Sequence, residues 1–162
     1  MAPRNNSAST TAPELIISRV FNAPCSLVFA CWTENRHLQH WSAPHGFTMP
    51  HAEGKAETGG HYRVCMQKPD GTKLWLHGVY KEVVPNRKLV MTHVWEQEDG
   101  SPGEETLVTV LFEDLGGKTR MTMIQTGFAS TESRDGHGEG WSECFEKLES
   151  LLSGLSNMGI KS

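Results

Sequence analysis

The stretch Gly140-Trp141-Ser142-Glu143-Cys144-Phe145-Glu146-Lys147-Leu148-Glu149-Ser150-Leu151-Leu152 decides the architecture. Trp141, Phe145, Leu148, Leu152 and Leu155 return at steps of four, three, four and three, which is one face of an α-helix. Glu143, Glu146, Lys147 and Glu149 supply the opposite, wet face. Nearly everything upstream reads as β-strand. A single long amphipathic helix after a run of strands must bury its stripe against a sheet. Function then turns on whether the two surfaces fill the space between them or leave a cavity.

Moving outward from the helix, residues 118–126 and 104–114 form a hairpin around Gly116-Gly117. Lys88–Glu96 and Lys73–Val84 are separated by Pro85-Asn86-Arg87, and Pro69-Asp70-Gly71 is a strong turn leading back to His61–Gln67. Residues 47–58 are a poorly apolar strand candidate. Leu27, Val28, Cys31 and Trp32 fall on helical spacing after Pro24, and residues 37–41 form a second short helix. Glu14–Phe21 is a β-branched first strand. The order is β-α-α-β-β-β-β-β-β-α, an α+β layout with an antiparallel sheet. Residues 1–13 are expected to be a flexible tail, 14–155 the single domain and 156–162 a second tail.

Polarity sets the face of each strand. Lys88, Thr92 and Glu96 mark the outside of their strand, so Leu89, Met91, His93 and Trp95 face the helix. By the same argument Leu74, Leu76, Gly78 and Tyr80 point in, as do Tyr62, Val64 and Met66, and Met121, Met123 and Gln125. Val108, Val110 and Phe112 are the apolar side of theirs. Polarizable Met beside a few polar groups suits a pocket for an apolar ligand. An ordinary core, with Met filling gaps and His93 bonded to backbone, accounts for the same composition. The candidate ligand-binding residues are Tyr62, Met66, Leu76, Gly78, Tyr80 and Met91, together with His93, Trp95, Met121, Met123, Trp141 and Phe145.

Composition removes several function classes. The chain has 162 residues and a net charge of -4, with no cluster of Lys and Arg, which argues against a nucleic-acid partner. No apolar run approaches the ~20 residues of a membrane span. The start of the chain lacks the apolar core of a signal peptide, so a cytoplasmic location is expected. Cys25, Cys31, Cys65 and Cys144 show no paired spacing and read as reduced, mostly buried thiols. His37 and His40, three apart on a short helix with His45 and His51 downstream, read as solvated surface rather than a zinc site. No metal or cofactor is expected. His93 is the best candidate general base, with Tyr80 as donor, although no nucleophile elbow, phosphate loop or dinucleotide fingerprint accompanies them. Gly136, Gly138 and Gly140 should weaken the start of the last helix, as a loop or frayed turn, or else as a compliant gate.

In chain order stand Arg19-Val20-Phe21-Asn22-Ala23-Pro24, then Val28-Phe29-Ala30, Trp32-Thr33 and His40-Trp41. Gly59-Gly60-His61-Tyr62-Arg63-Val64, Pro69-Asp70-Gly71 and Gly78-Val79-Tyr80-Lys81-Glu82-Val83-Val84-Pro85 follow. Arg87-Lys88-Leu89-Val90 and Gly140-Trp141, with Phe145-Glu146-Lys147-Leu148 beyond, close the series. The ordered set resembles the START/Bet v 1-like (SRPBCC) helix-grip superfamily, and within it the activator of Hsp90 ATPase homologue (AHSA1-like) type. The resemblance implies a curved antiparallel sheet wrapped around the C-terminal helix, with two short helices closing one end. It also implies binding of a small hydrophobic or amphipathic ligand. A cyclase- or hydrolase-like enzyme using His93 is an alternative, because aromatic polyketide cyclases share the superfamily. A chaperone co-regulator or self-associating module, with its stress-response role, is another. Lys55, Glu57 and Thr58 replace the usual acidic residue and Arg-Pro, and Trp41-Ser42 replaces Trp-Trp. Both departures lie where a ligand mouth is expected, so no known ligand carries over.

Overall fold

The computed structural model describes residues 13–157. The elements are β1 (Glu14–Phe21), α1 (Cys25–Thr33), α2 (Asn35–Trp41), β2 (Thr48–Gly54), β3 (His61–Gln67), β4 (Lys73–Val84), β5 (Lys88–Glu96), β6 (Pro102–Asp114), β7 (Thr119–Thr126) and α3 (Thr131–Asn157). The strands form one seven-stranded antiparallel sheet in the order β1-β7-β6-β5-β4-β3-β2. It curves around α3, the architecture expected from the ordered motifs. Short turns set every pairing except one: β1 closes on β7, from Glu14 opposite Thr126 to Phe21 opposite Thr119.

Element boundaries differ where a local constraint overrides the pattern. The strand expected over 47–58 is Thr48–Gly54, interrupted by a register shift between Thr48 and His51. It stops at Gly54, whose φ of 140° suits only glycine and where a side chain would run into the backbone of His61 and Tyr62. The strand expected over 104–114 begins earlier, at Pro102. Its successor begins at Thr119, whose hydroxyl is fully buried and donates to the Ala23 carbonyl at 2.8 Å. The expected tails lie outside the described residues, apart from Pro13 and from Ser156 and Asn157, which continue α3.

The largest difference is the start of α3, which is helical from Thr131 straight through Gly136, Gly138 and Gly140. Ser130 caps it, its Oγ accepting the Ser133 N–H at 3.1 Å. Glu104 on β6 accepts the Ala129 N–H at 2.9 Å and the Ser133 hydroxyl at 2.7 Å. These bonds offset a glycine cost of about 1 kcal/mol per residue. Gly138 sits on Leu15 of β1, whereas Gly136 and Gly140 lie one turn apart on the face toward the sheet interior.

Behind that face the second half of α3 fills the sheet. Phe145, Leu148, Leu152 and Leu155 join Val110, Phe112, Met121 and Met123 in one continuous buried core. Cys31, Cys65 and Cys144 are buried and Cys25 half-buried, all four free thiols. On the convex face Glu96 ties three strands together. Arg63 of β3 donates two bonds to it at 2.9 Å, and His77 of β4 lies at 2.9 Å. The Arg63 bonds hold the Glu96 carboxyl down at about 2.

Replacing Gly136 with Ala should stabilise the fold by about 1 kcal/mol, because a methyl group there meets nothing within 4 Å. Gly138→Ala should gain less, since its methyl lies 3.2 Å from Leu15 Cδ1. Thermal unfolding of the two variants checks the order, and equal gains would contradict this packing.

Candidate functional site

Between the first half of α3 and strands β3, β4 and β5 the interior stays open, leaving a cavity of about 440 Å³. Its helical wall is Ser133, Gly136, His137, Gly140, Trp141 and Cys144, the i, i+3, i+4 positions of one helix face. Two of these positions lack a side chain, and that absence makes the space. The sheet contributes Tyr62, Met66, Leu76, Tyr80, Met91 and Trp95, with His93 among them. Trp32, Trp41, Phe47 and Met49 close the end formed by α1, α2 and the following loop.

That loop is clamped to α3. Lys147 Nζ donates to the carbonyls of Pro44 at 3.0 Å and Phe47 at 3.2 Å, and the His45 N–H donates to Glu143 at 2.9 Å. Aromatic packing stiffens the closed end. Trp32 and Trp41 meet edge-on with centroids 4.8 Å apart, and Trp32 stacks on Trp141 at 5.7 Å.

The polar groups of the wall are mostly committed. Trp95 Nε1 donates to His137 Nε2 at 2.9 Å, and His137 Nδ1 lies 2.7 Å from the Ser133 carbonyl. The tautomer with its proton on Nδ1 makes both bonds. Trp141 Nε1 donates to Gln125 Oε1 at 2.8 Å, and Gln125 Nε2 donates to Thr106 Oγ1 at 2.8 Å. Tyr62 donates its hydroxyl to the Thr92 carbonyl.

His93 is different. It is 5% exposed, packed edge-on against Trp95 and His137, and its Nδ1 is buried with no partner. Burial, aided by neighbouring His137, pushes its pKa down to about 3. Burial raises the Tyr80 hydroxyl to about 12 and the Cys144 thiol to about 12. Apart from Glu132, no carboxylate, lysine or arginine lines the cavity.

A family model described as "Activator of Hsp90 ATPase homolog 1-like protein" matches residues 22–153. The chain belongs to this family. Its structure is similar to that of an AHSA1 protein from Silicibacter pomeroyi, with a TM-score of 0.81, 23% identity and coverage of 87% of this chain and 98% of that one. A protein from Arthrobacter aurescens, solved by NMR, gives 0.77 at 29% identity, covering 88% of this chain and 87% of its own. One from Chromobacterium violaceum gives 0.77 at 21%, covering 86% and 96%. No curated protein matches the chain.

Of the residues singled out in the sequence, eight border the cavity: Tyr62, Met66, Leu76 and Tyr80, then Met91, His93, Trp95 and Trp141. Met121, Met123 and Phe145 do not; they are sealed in the core, where Trp32 Nε1 lies 3.2 Å from Met121 Sδ. Gly78 does not border it either. Tyr62 lies directly opposite Gly78 on the neighbouring strand, and any side chain at 78 would strike that ring and the Thr92 carbonyl. Gly78 thus seats a wall residue rather than serving as one. Sequence reasoning missed Ser133 and His137 and gave Gly136 and Gly140 only as a weak helix start or a gate, although stepping back from Cys144 by threes and fours reaches all four. It also missed Trp32, Trp41, Phe47 and Met49, which only tertiary packing brings to this wall.

His37 corrects a further expectation: it is buried, not solvated, and its Nε2 makes no hydrogen bond, with Glu34 Oε1 3.8 Å away, while His40 is exposed. Among the described residues no three His, Cys, Asp or Glu side chains gather to hold a metal.

The buried His93 gives stability a definite pH dependence. The folded ring titrates at about 3, below the ordinary histidine value of 6.5, so acid protonates the unfolded chain first. This contribution is intact above pH ~6.5 and is lost progressively toward pH ~3. His93→Phe should flatten the stability profile in that window, measured by denaturant unfolding across pH. An unchanged slope would show that His93 titrates normally.

Proposed function

We propose that this chain is a non-enzymatic binding protein that holds a small hydrophobic or amphipathic molecule between its sheet and α3. The observation that supports this reading is the cavity of about 440 Å³, apolar-walled, without a lysine or arginine and within the size range of small-ligand pockets. Aromatic and Met side chains dominate its sides, and these adapt to flat or irregular apolar bodies. Catalysis has less support. A general base works best with a pKa near the operating pH, and His93 lies far below it. A Tyr80 held at about 12 is equally far from serving as an acid. The ligand-binding residues in this reading are the eight cavity-facing ones from the sequence, together with His137 and the aromatic end formed by Trp32, Trp41 and Phe47.

A second reading, contact with an Hsp90-type chaperone or with a second copy, draws on the family description and on an apolar stripe of the convex face. There Ile16 and Val20 of β1 are 59% and 51% exposed, and Leu107 and Leu111 are exposed two strands away on β6. An unchanged chaperone ATPase rate together with a monomeric mass at high concentration would retire it.

N-phenylnaphthylamine, a neutral probe that brightens in apolar surroundings, should bind saturably and raise the melting temperature. At a hundredfold excess over Kd the gain is about 2.7 kcal/mol. Gly140→Phe, which puts a ring into the cavity on an intact helix, should abolish probe binding while keeping the far-UV spectrum. Probe fluorescence that is equal in both proteins would remove the cavity from the reading.

A further inference from the structure

Resting on the binding reading above, the polar group of an occupant is constrained by the wall groups still free to bond. The four indole N–H groups are committed: Trp95 to His137, Trp141 to Gln125, Trp32 to the Met121 sulfur, and Trp41 to the Cys31 carbonyl at 2.8 Å. Ser42 donates to the Leu38 carbonyl at 2.7 Å, Ser133 to Glu104, and Tyr62 to Thr92. Both nitrogens of His137 are used. Within the cavity, apart from the exposed Glu132 and the weakly bonding Cys144 thiol, this leaves the His93 ring and the Tyr80 hydroxyl without a partner among the described residues. They are diagonal neighbours on the concave face: Tyr80 lies opposite Met91, and His93 is two residues along the same strand.

The direction of the bond follows from the tautomer. His93 Nδ1 is buried against protein with nothing to receive a proton, and a buried N–H left unbonded costs more than a buried lone pair. The proton of the neutral ring therefore belongs on Nε2, the nitrogen left to the cavity. Tyr80 likewise keeps its proton and offers a donor. Both free groups present hydrogens, and no cation lines the wall to neutralise an anion.

We propose that the cavity selects an uncharged, largely aromatic molecule bearing a hydrogen-bond-accepting oxygen, a ketone or quinone-type carbonyl, which receives the Nε2–H of His93. A ligand carboxylate is disfavoured because it would be desolvated without a counter-charge. A purely apolar body leaves the His93 donor unmade.

Three probes with one shared body separate these cases: fluorene, fluorenone and fluorenecarboxylate, each titrated by displacement of N-phenylnaphthylamine. Fluorenone should bind roughly fivefold more tightly than fluorene, the worth of one net hydrogen bond. Fluorenecarboxylate should bind more than about tenfold more weakly than fluorenone. In His93→Phe, which keeps an aromatic ring against Trp95 and His137, the ratio of fluorenone to fluorene affinity should fall to about one. Equal affinity for fluorene and fluorenone in the wild type, or an advantage that survives His93→Phe, overturns the inference while leaving the binding reading intact. Failure of all three to bind overturns both. Nitrogen NMR of the wild-type protein gives a check that needs no variant: a proton found on Nδ1 of His93 also overturns the inference.

Discussion

One stripe of α3 must be buried along the whole concave sheet, but only its second half carries side chains large enough to fill the space. From Phe145 onward, Leu148, Leu152 and Leu155 join Met121 and Met123 in one buried cluster. From Ser133 to Gly140 the same stripe offers Gly136 and Gly140, and the sheet opposite them stays uncovered. A packed core and an empty cavity are thus two outcomes of one helix–sheet contact, distinguished by side-chain volume. A helix with these glycines holds its shape because Ser130 caps it and Glu104 anchors its first turn from β6.

The same division explains the polar groups. A buried donor without a partner is costly, so the wall pairs its indoles inwardly, Trp95 with His137 and Trp141 with Gln125. These bonds also fix ring orientations, which preorganises the cavity before anything enters it. His93 is left out of the network, sealed at one nitrogen and depressed in pKa by burial. Its unmet hydrogen bond is the most specific chemical feature of the cavity. Membership of the Hsp90-activator homologue family is compatible with this picture, because what such a domain binds depends on wall residues and not on the shared fold.

Much was legible before any coordinates. Strand positions followed from two-residue alternation and from turn chemistry such as Pro69-Asp70-Gly71, and β3, β4 and β5 begin and end where those signals place them. Which strand residues face inward followed from the same alternation, so Met91, His93 and Trp95 were legible as a set. What alternation could not supply was depth. Met123 and Met91 carry the same signal, yet one lies under the filled half of α3 and the other under the open half.

By itself the sequence determined the α+β class, the strand order along the chain and the buried face of β3 to β7 and of the second half of α3, because these depend on local periodicity. Tertiary structure alone decided where α3 begins, since a cap and a Glu104 bond from a distant strand outweigh glycine's intrinsic cost. It also decided where the cavity lies and which residues share it. Trp32, Trp41 and Phe47 reach the wall only through the packing of α1, α2 and the clamped loop, contacts between residues far apart in the chain. Periodicity reports which way a side chain points; only the opposing surface determines whether it meets an atom or a void.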